Sequence, residues 1–381
     1  MDGRPQLLNA LALISVLCPS MAVAGDFSAY AQKAFSPVIE NYKIPGLVVG
    51  VTRNGVHEFY TAGLASRADN RPVTPDTLFE LGSISKVFTV TLAALAEQRG
   101  KLNLNDTLAH HLCEDACSIG NNLTLMDLAT HHSGGLPLQV PDSVENVEGL
   151  INWLKDWQPS HPGARSYSNI SIGMLGYISG KAMGSNYPKA AQTVLFPALG
   201  LTNTWINVPD EKMPLYAYGY DRKTDAPIRV SPGVLDAEAY GVKSSARDML
   251  KLLDIELGEG ETSAEIKAAV ERTQQGQFKT DFFTQAMILE QYPWPVNIKD
   301  MLAGNGYDFI MKPQPVQKIT PSLPAQRQVL INKTGSTNGF GGYIAAIPSE
   351  KLGIVVLANK NYPNEARIEA TYSLIQALLK Q

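Results

Sequence analysis

Ser83, Ile84, Ser85 and Lys86 open an apolar, helix-like run. On a helix, residues i and i+3 share a face, so the ammonium of Lys86 can reach the hydroxyl of Ser83. A serine hydroxyl is a poor nucleophile at neutral pH and needs a neighbouring base. At a helix start it also gains an outward backbone N–H and the positive end of the helix dipole. Taken alone the pattern is weak, because a capping Ser followed by an exposed Lys recurs on many helices.

Two further clusters lie far off in sequence. Tyr167-Ser168-Asn169 follows a loop marked by Pro159, Pro162 and Gly163. A tyrosine titrates near ~10. Beside two lysine ammonium groups its phenolate would be favoured, and it could then act as a base near neutrality. Asn169 offers an amide donor and acceptor. Lys333-Thr334-Gly335-Ser336 ends an apolar strand. Lys333 and Thr334 can hold a carboxylate, and Gly335 would let a substrate carbonyl approach the backbone. On an edge strand the Ser336 N–H is free and can join that of Ser83 as an oxyanion hole. Each of these is weak alone; a strand running into a turn would account for the last.

Positioning them requires an ordered frame. Leu47 to Val51, Arg53-Asn54-Gly55 and Val56 to Tyr60 read as a hairpin with an Asn-Gly turn. Ser83 to Arg99 reads as a helix stopped at Gly100. Thr124-x-x-Asp127 resembles a capping box opening a short helix that ends at Gly134-Gly135. Val147, Leu150, Ile151 and Leu154 recur at helical spacing. Val329 to Thr334, Gly342 to Ile347 and Gly353 to Leu357 read as successive strands, and Ile368, Tyr372, Ile375 and Leu379 share one face of a last helix. The expected fold is α/β: an antiparallel sheet built from both chain ends, flanked by helices, with a mainly helical region inserted. Residues 25–80 and about 206–381 would form the sheet domain and about 81–205 the helical one, with the active site between them.

The chain has 381 residues, 44% of them apolar, and a net charge of −4. This suffices for a large core. No basic face or run of Lys and Arg points to nucleic acid. A small-molecule substrate and a monomer are expected. Residues 1–24 read as a signal peptide. Arg4 gives a weakly positive start, Leu7 to Leu17 is too short to span a membrane, and Ala22-Val23-Ala24 is a small-x-small cleavage site, cut after Ala24. A buried N-terminal helix is the competing reading. Cys18 would suit a lipoprotein only if a small residue preceded it, and Leu17 does. Export places the mature enzyme in a bacterial periplasm. Cys113 and Cys117 then remain; an oxidising compartment permits a bridge, which a separation of four allows only in a turn-like segment. His110, His111, His131 and His132 beside these cysteines invite a metal, but no recognised ligand spacing is present, so no metal or other cofactor is expected.

The three clusters, in this order and on these elements, resemble those of the penicillin-recognising serine enzymes, and most closely class C β-lactamases (AmpC-type cephalosporinases). The likeness runs from about Phe27 to Leu379. It includes Leu78-Phe79-Glu80-Leu81-Gly82-Ser83, Gly135-Leu136-Pro137-Leu138-Gln139, Leu235 to Val242 and Asn361-Tyr362-Pro363-Asn364. The resemblance implies hydrolysis of the β-lactam amide of cephalosporins and penicillins through an acyl-enzyme on Ser83. Lys86 and Tyr167 look like the proton-transfer pair. Gln139 and Asn169 look like binders of the substrate side-chain amide. Lys333, Thr334, Asn364 and Arg367 look like the carboxylate pocket, and Tyr240 looks like a wall under the side chain. Without the family, Asn364 and Arg367 would read as a helix's first turn and Tyr240 as packing. Two features depart from the pattern: Asn332 stands where some relatives have His, and Cys113 and Cys117 are extra. The class A pattern, with Ser-Asp-Asn and a later Glu, and the class D Ser-x-Val are absent. A D-alanyl-D-alanine peptidase or esterase, and a penicillin-binding receptor that does not turn over, are the competing functions on this scaffold.

Overall fold

The computed structural model describes residues 24–113, 117–120 and 122–380. The expected leader lies outside the described residues except for Ala24, where the first helix, Ala24–Tyr42, begins. Sequence reading did not anticipate this helix. It buries Phe27, Ala31, Phe35 and Val38, one apolar stripe at helical spacing.

The centre is a ten-stranded sheet. Gly46–Arg53 and Val56–Ser66 form the expected hairpin, with Asn54 and Gly55 both at positive φ in the turn. The first of these pairs antiparallel with Leu352–Ala358, which pairs with Gly341–Ile347, which pairs with Val329–Ser336. The two chain ends thus share one sheet. Val48, Val49, Val355 and Val356 are fully buried, as a strand covered on both faces requires. One core lies beneath the first helix and the last, Asn364–Leu378. The other lies beneath the inserted helices.

Helix Lys86–Gln98 runs through the second core, with every residue from Lys86 to Ala96 buried. Beside it packs Asn169–Ala182. The Thr124–Asp127 capping box is present, but its helix ends at Ala129 rather than at Gly134-Gly135. Helix Val147–Asp156 buries Leu150 and Leu154, while Val147 and Ile151 pack at the margin. A three-stranded sheet joins Phe79–Glu80, Thr204–Trp205 and Lys243–Ser244, so it pins both the entry and the exit of the inserted segment. Cys113 and Cys117 are joined by a disulfide, with Cα atoms 6.0 Å apart. Among the described residues no helix is long and apolar enough to cross a membrane.

Candidate active site

Ser83 lies in a 3₁₀ turn, Gly82–Ser85, and the α-helix starts only at Lys86. The tighter turn brings residues i and i+3 almost into register. Lys86 Nζ donates to Ser83 Oγ at 2.8 Å, to Asn169 Oδ1 at 2.7 Å and to the Ala239 carbonyl at 2.8 Å. All three ammonium hydrogens are therefore placed, which is the condition for keeping a lysine fully buried. Burial still pushes its pKa down, to about 8, with nearby Tyr167 opposing and Lys333 reinforcing the shift.

Tyr167 sits between two ammonium groups, Lys86 Nζ 5.3 Å and Lys333 Nζ 5.2 Å from its ring centre. Burial alone would raise its pKa. The charges of Lys333 and Lys86 outweigh that, and hydrogen bonds from Ser83 and Lys333 add to them, leaving it near about 7. Its neighbours are fixed by Ser168, whose side chain accepts from Ser171 N–H as the cap of helix Asn169–Ala182. Asn169 Nδ2 then donates to Gln139 Oε1 at 3.1 Å, linking Gln139 to the Lys86 network.

The strand carrying Lys333 is not an edge strand, contrary to the sequence expectation. It lies between Glu290–Pro293 and Gly341–Ile347. Its pairing with Glu290–Pro293 stops at Asn332, however, so Lys333 to Ser336 run on along an open side. Thr337 N–H donates to Phe340 O. Bonded and non-bonded pairs alternate in antiparallel sheets, so Ser336 opposite Gly341 is a non-bonded pair. The Ser336 N–H therefore points to that open side.

Two glycines let the strand end meet the nucleophile turn. Gly82 has φ +52°, and a Cβ there would lie 2.4 Å from Ser336 N. A Cβ on Gly335 would lie 2.1 Å from Leu81 O. Gly335 is thus small for the sake of the protein's own turn, not only for a substrate carbonyl.

A cleft of about 600 Å³ collects most of the expected residues: Ser83, Gln139, Tyr167, Asn169, Tyr240, Lys333, Thr334, Gly335, Ser336 and Asn364 all line it. Arg367 does not. It is 1% exposed, and its guanidinium donates to Gly335 O at 2.8 Å, Gly342 O at 3.1 Å, Asn361 Oδ1 and Tyr362 O. Both of its terminal nitrogens are committed to these acceptors, two of them carbonyls of the Lys333 strand and its neighbour, so it supports the pocket rather than lining it. Of the residues weighed as metal ligands, His132 pairs with Asp127 at 2.8 Å, His111 with Asp106 at 3.2 Å, His110 packs on His111, His131 packs on Tyr167, and Cys113 is bonded to Cys117. Among the described residues no three His, Cys, Asp or Glu side chains are grouped to hold a metal ion. Asn332 is buried and turns its amide to the Glu290 carbonyl at 3.4 Å.

Sequence reading missed a second layer. Arg165 is buried, donates to Gln285 at 2.7 Å and to Glu290 at 3.3 Å, and its guanidinium lies 5.8 Å from the Tyr167 ring centre. Glu290 reaches the cleft wall. Burial raises its pKa against the opposing charges of Lys333 and Arg165. The only available signal was an Arg two residues before the tyrosine.

Known proteins carry the same arrangement. The family model described as Beta-lactamase matches residues 31–379. A beta-lactamase of Psychrobacter immobilis is 40% identical over 384 residues, spanning 99% of this chain and 96% of that one. The crystal structure of a class C beta lactamase from Rhodobacter sphaeroides superposes with a TM-score of 0.90 at 63% identity, covering 92% of this chain and 100% of the other. A structure named beta-lactamase/D-alanine carboxypeptidase, from Pseudomonas syringae, gives 0.89 at 44% identity, over 92% and 98%. An antiparallel sheet with a serine, a buried lysine and a tyrosine at its cleft defines a serine hydrolase of the β-lactamase and D-Ala-D-Ala-peptidase fold. Within that class, the chain belongs to the beta-lactamase family, and its relatives of known structure include class C enzymes.

Proposed function

We propose that the protein hydrolyses the β-lactam amide of cephalosporins and penicillins through an acyl-enzyme on Ser83, conferring resistance to these antibiotics. The observation that carries this reading is Tyr167 set between the ammonium groups of Lys86 and Lys333, with Ser83 hydrogen-bonded to Lys86. At neutral pH the Tyr167 phenolate takes the Ser83 proton while Lys86 stays charged and donates to Ser83 Oγ. The Ser83 oxygen attacks the lactam carbonyl. Developing negative charge on the carbonyl oxygen is met by the N–H groups of Ser83 and Ser336. The C–N bond breaks, and the proton now on Tyr167 goes to the leaving lactam nitrogen. Water then enters and gives a proton to the same phenolate as its oxygen bonds the acyl carbon. The Ser83 Oγ–carbon bond breaks, the proton on Tyr167 passes to Ser83 Oγ, and the product acid leaves.

Lys333, Thr334 and Asn364 hold the substrate carboxylate, Gln139 and Asn169 the side-chain amide, and Tyr240 forms the wall under it. We read residues 25–80 with about 206–381 as one domain and about 81–205 as the other. We also read the enzyme as an exported, monomeric periplasmic protein cut after Ala24, which N-terminal sequencing of the periplasmic pool tests.

A D-alanyl-D-alanine carboxypeptidase is the second reading, favoured by the Pseudomonas syringae structure's double name. Rapid mixing with a good cephalosporin separates the two. Turnover of ~1–10³ s⁻¹ with a transient Ser83 adduct supports the lactamase. An adduct lasting many minutes on every β-lactam, beside fast release of D-alanine from a peptide, supports the peptidase.

A further inference from the structure

We infer that His131 is a positioning residue for Tyr167, clamping the backbone on both sides of that tyrosine while its ring backs the phenol. A base must hold its oxygen within hydrogen-bond reach of the serine, yet Tyr167 stands between a Pro/Gly loop and a helix start. Downstream the junction is held by Ser168 Oγ donating to the Pro137 carbonyl at 2.7 Å and Asn169 N–H to the Leu138 carbonyl at 2.9 Å. His131 bonds the backbone on both sides of Tyr167. Its carbonyl accepts from Ser166 N–H at 2.8 Å, and its ring Nδ1 accepts from Ser168 N–H at 3.2 Å. Its ring centre lies 4.4 Å from that of Tyr167. One residue therefore holds the positions before and after Tyr167 and packs its ring, tilted by 45°, against the tyrosine ring.

Three observations mark this as built. His131 has φ +60°, a conformation that non-glycine residues adopt uncommonly and at a cost in strain. That conformation coincides with carbonyl and side chain both bonding the Tyr167 segment. The residue is fully buried. An accepting Nδ1 requires the proton to be on Nε2, which finds no hydrogen-bond partner among the described residues. A buried polar atom is left unpaired while Nδ1 is spent on Ser168. The charged groups around the ring are Arg165, Lys86 and Lys333; after burial itself, these hold His131 well below its usual pKa and so keep Nδ1 an acceptor. Protonation would turn Nδ1–H against Ser168 N–H and release the clamp.

The inference rests on Tyr167 being the base. His131→Phe keeps a ring but removes the acceptor. His131→Asn keeps an acceptor oxygen in the place of Nδ1, and Asn tolerates positive φ. Steady-state kinetics with a chromogenic cephalosporin should show kcat of His131→Phe down roughly 10–100-fold, as expected for a misplaced catalytic group, with KM changed by less than about 3-fold. His131→Asn should recover most of that kcat. Equal losses in both variants, or a wild-type kcat in His131→Phe, would overturn the inference. Should His131→Phe not fold, ¹⁵N spectra of histidine-labelled wild type read the same point: Nδ1 unprotonated and Nε2–H from pH about 5 to about 8 supports it, and the opposite tautomer overturns it. Tyr167→Phe, run alongside, separates the two readings. If it is inactive while His131→Phe is normal, only the clamp fails; if it is silent, the base reading fails and the clamp's catalytic meaning with it.

Discussion

Replacing Lys333 with alanine should move the acid limb of the pH–rate profile, not merely weaken substrate binding. The phenolate of Tyr167 is needed for acylation, so kcat/KM of the wild type should fall as pH drops through about 7. Lys333 Nζ lies 5.2 Å from the Tyr167 ring centre. The phenol oxygen, hydrogen-bonded to Lys333, lies closer still, so at an effective dielectric of about 20 the Lys333 charge is worth at least about 3 kcal/mol, or roughly two pK units. Water in the open cleft screens part of this, so the limb should rise by about one to two units. At pH 7 the phenolate fraction then drops from about one half to between about one in ten and one in a hundred. Raising the pH to about 9 should restore the phenolate fraction to between about one half and about nine tenths. What stays lost at high pH is the contact with the substrate carboxylate, about 1.5–3 kcal/mol. The assay is kcat/KM for a chromogenic cephalosporin from pH about 5 to about 10, with Lys333→Arg as the charge-keeping control. A limb that stays at its wild-type midpoint in Lys333→Ala would refute the idea that Lys333 holds Tyr167 ionised.

Further expectations concern other parts of the molecule. Ser83→Ala should show no covalent adduct by intact mass with a slow β-lactam, and EDTA should leave the wild-type rate unchanged; an adduct on the variant would mean another serine reacts. Arg367→Leu should lower stability by about 3 kcal/mol or more, because charge-assisted bonds to Gly335 O and Gly342 O are lost; a raised KM with an unchanged melting temperature would restore it to the substrate pocket. Glu256 is buried, and that burial raises its pKa to about 7. A raised carboxyl favours folding below its unfolded pKa and loses that contribution as pH rises to about 7, a span of about 3 kcal/mol. Glu256→Gln should therefore be more stable than wild type at pH about 8 and similar at pH about 4, as urea melts at the two pH values can read. Reducing the Cys113–Cys117 bond should cost at most about 2 kcal/mol for so short a loop and leave kcat unaltered, since neither cysteine lines the cleft.

Local order determined by itself what the sequence could announce. The Asn54-Gly55 turn, the Thr124–Asp127 box and the strand runs near the C-terminus obey rules spanning two to eight residues, so they are readable without tertiary information. The spacing Ser83-x-x-Lys86 likewise announced a contact that one helical turn can make. Distance in the chain defeated the rest. Whether the Lys333 strand had an open side depended on where a strand forty residues earlier stops pairing, at Glu290. The fate of Arg367 turned on two carbonyls that the sheet brings against the last helix. The first helix carried an apolar stripe whose cover, the last helix, lies at the other end of the chain. Tyr167 owes its depressed pKa to a charge 166 residues away, which no local pattern can report. Sequence determined which groups could react; only the fold, by excluding water and bringing Lys86 and Lys333 to one ring, decided that they would do so near neutral pH.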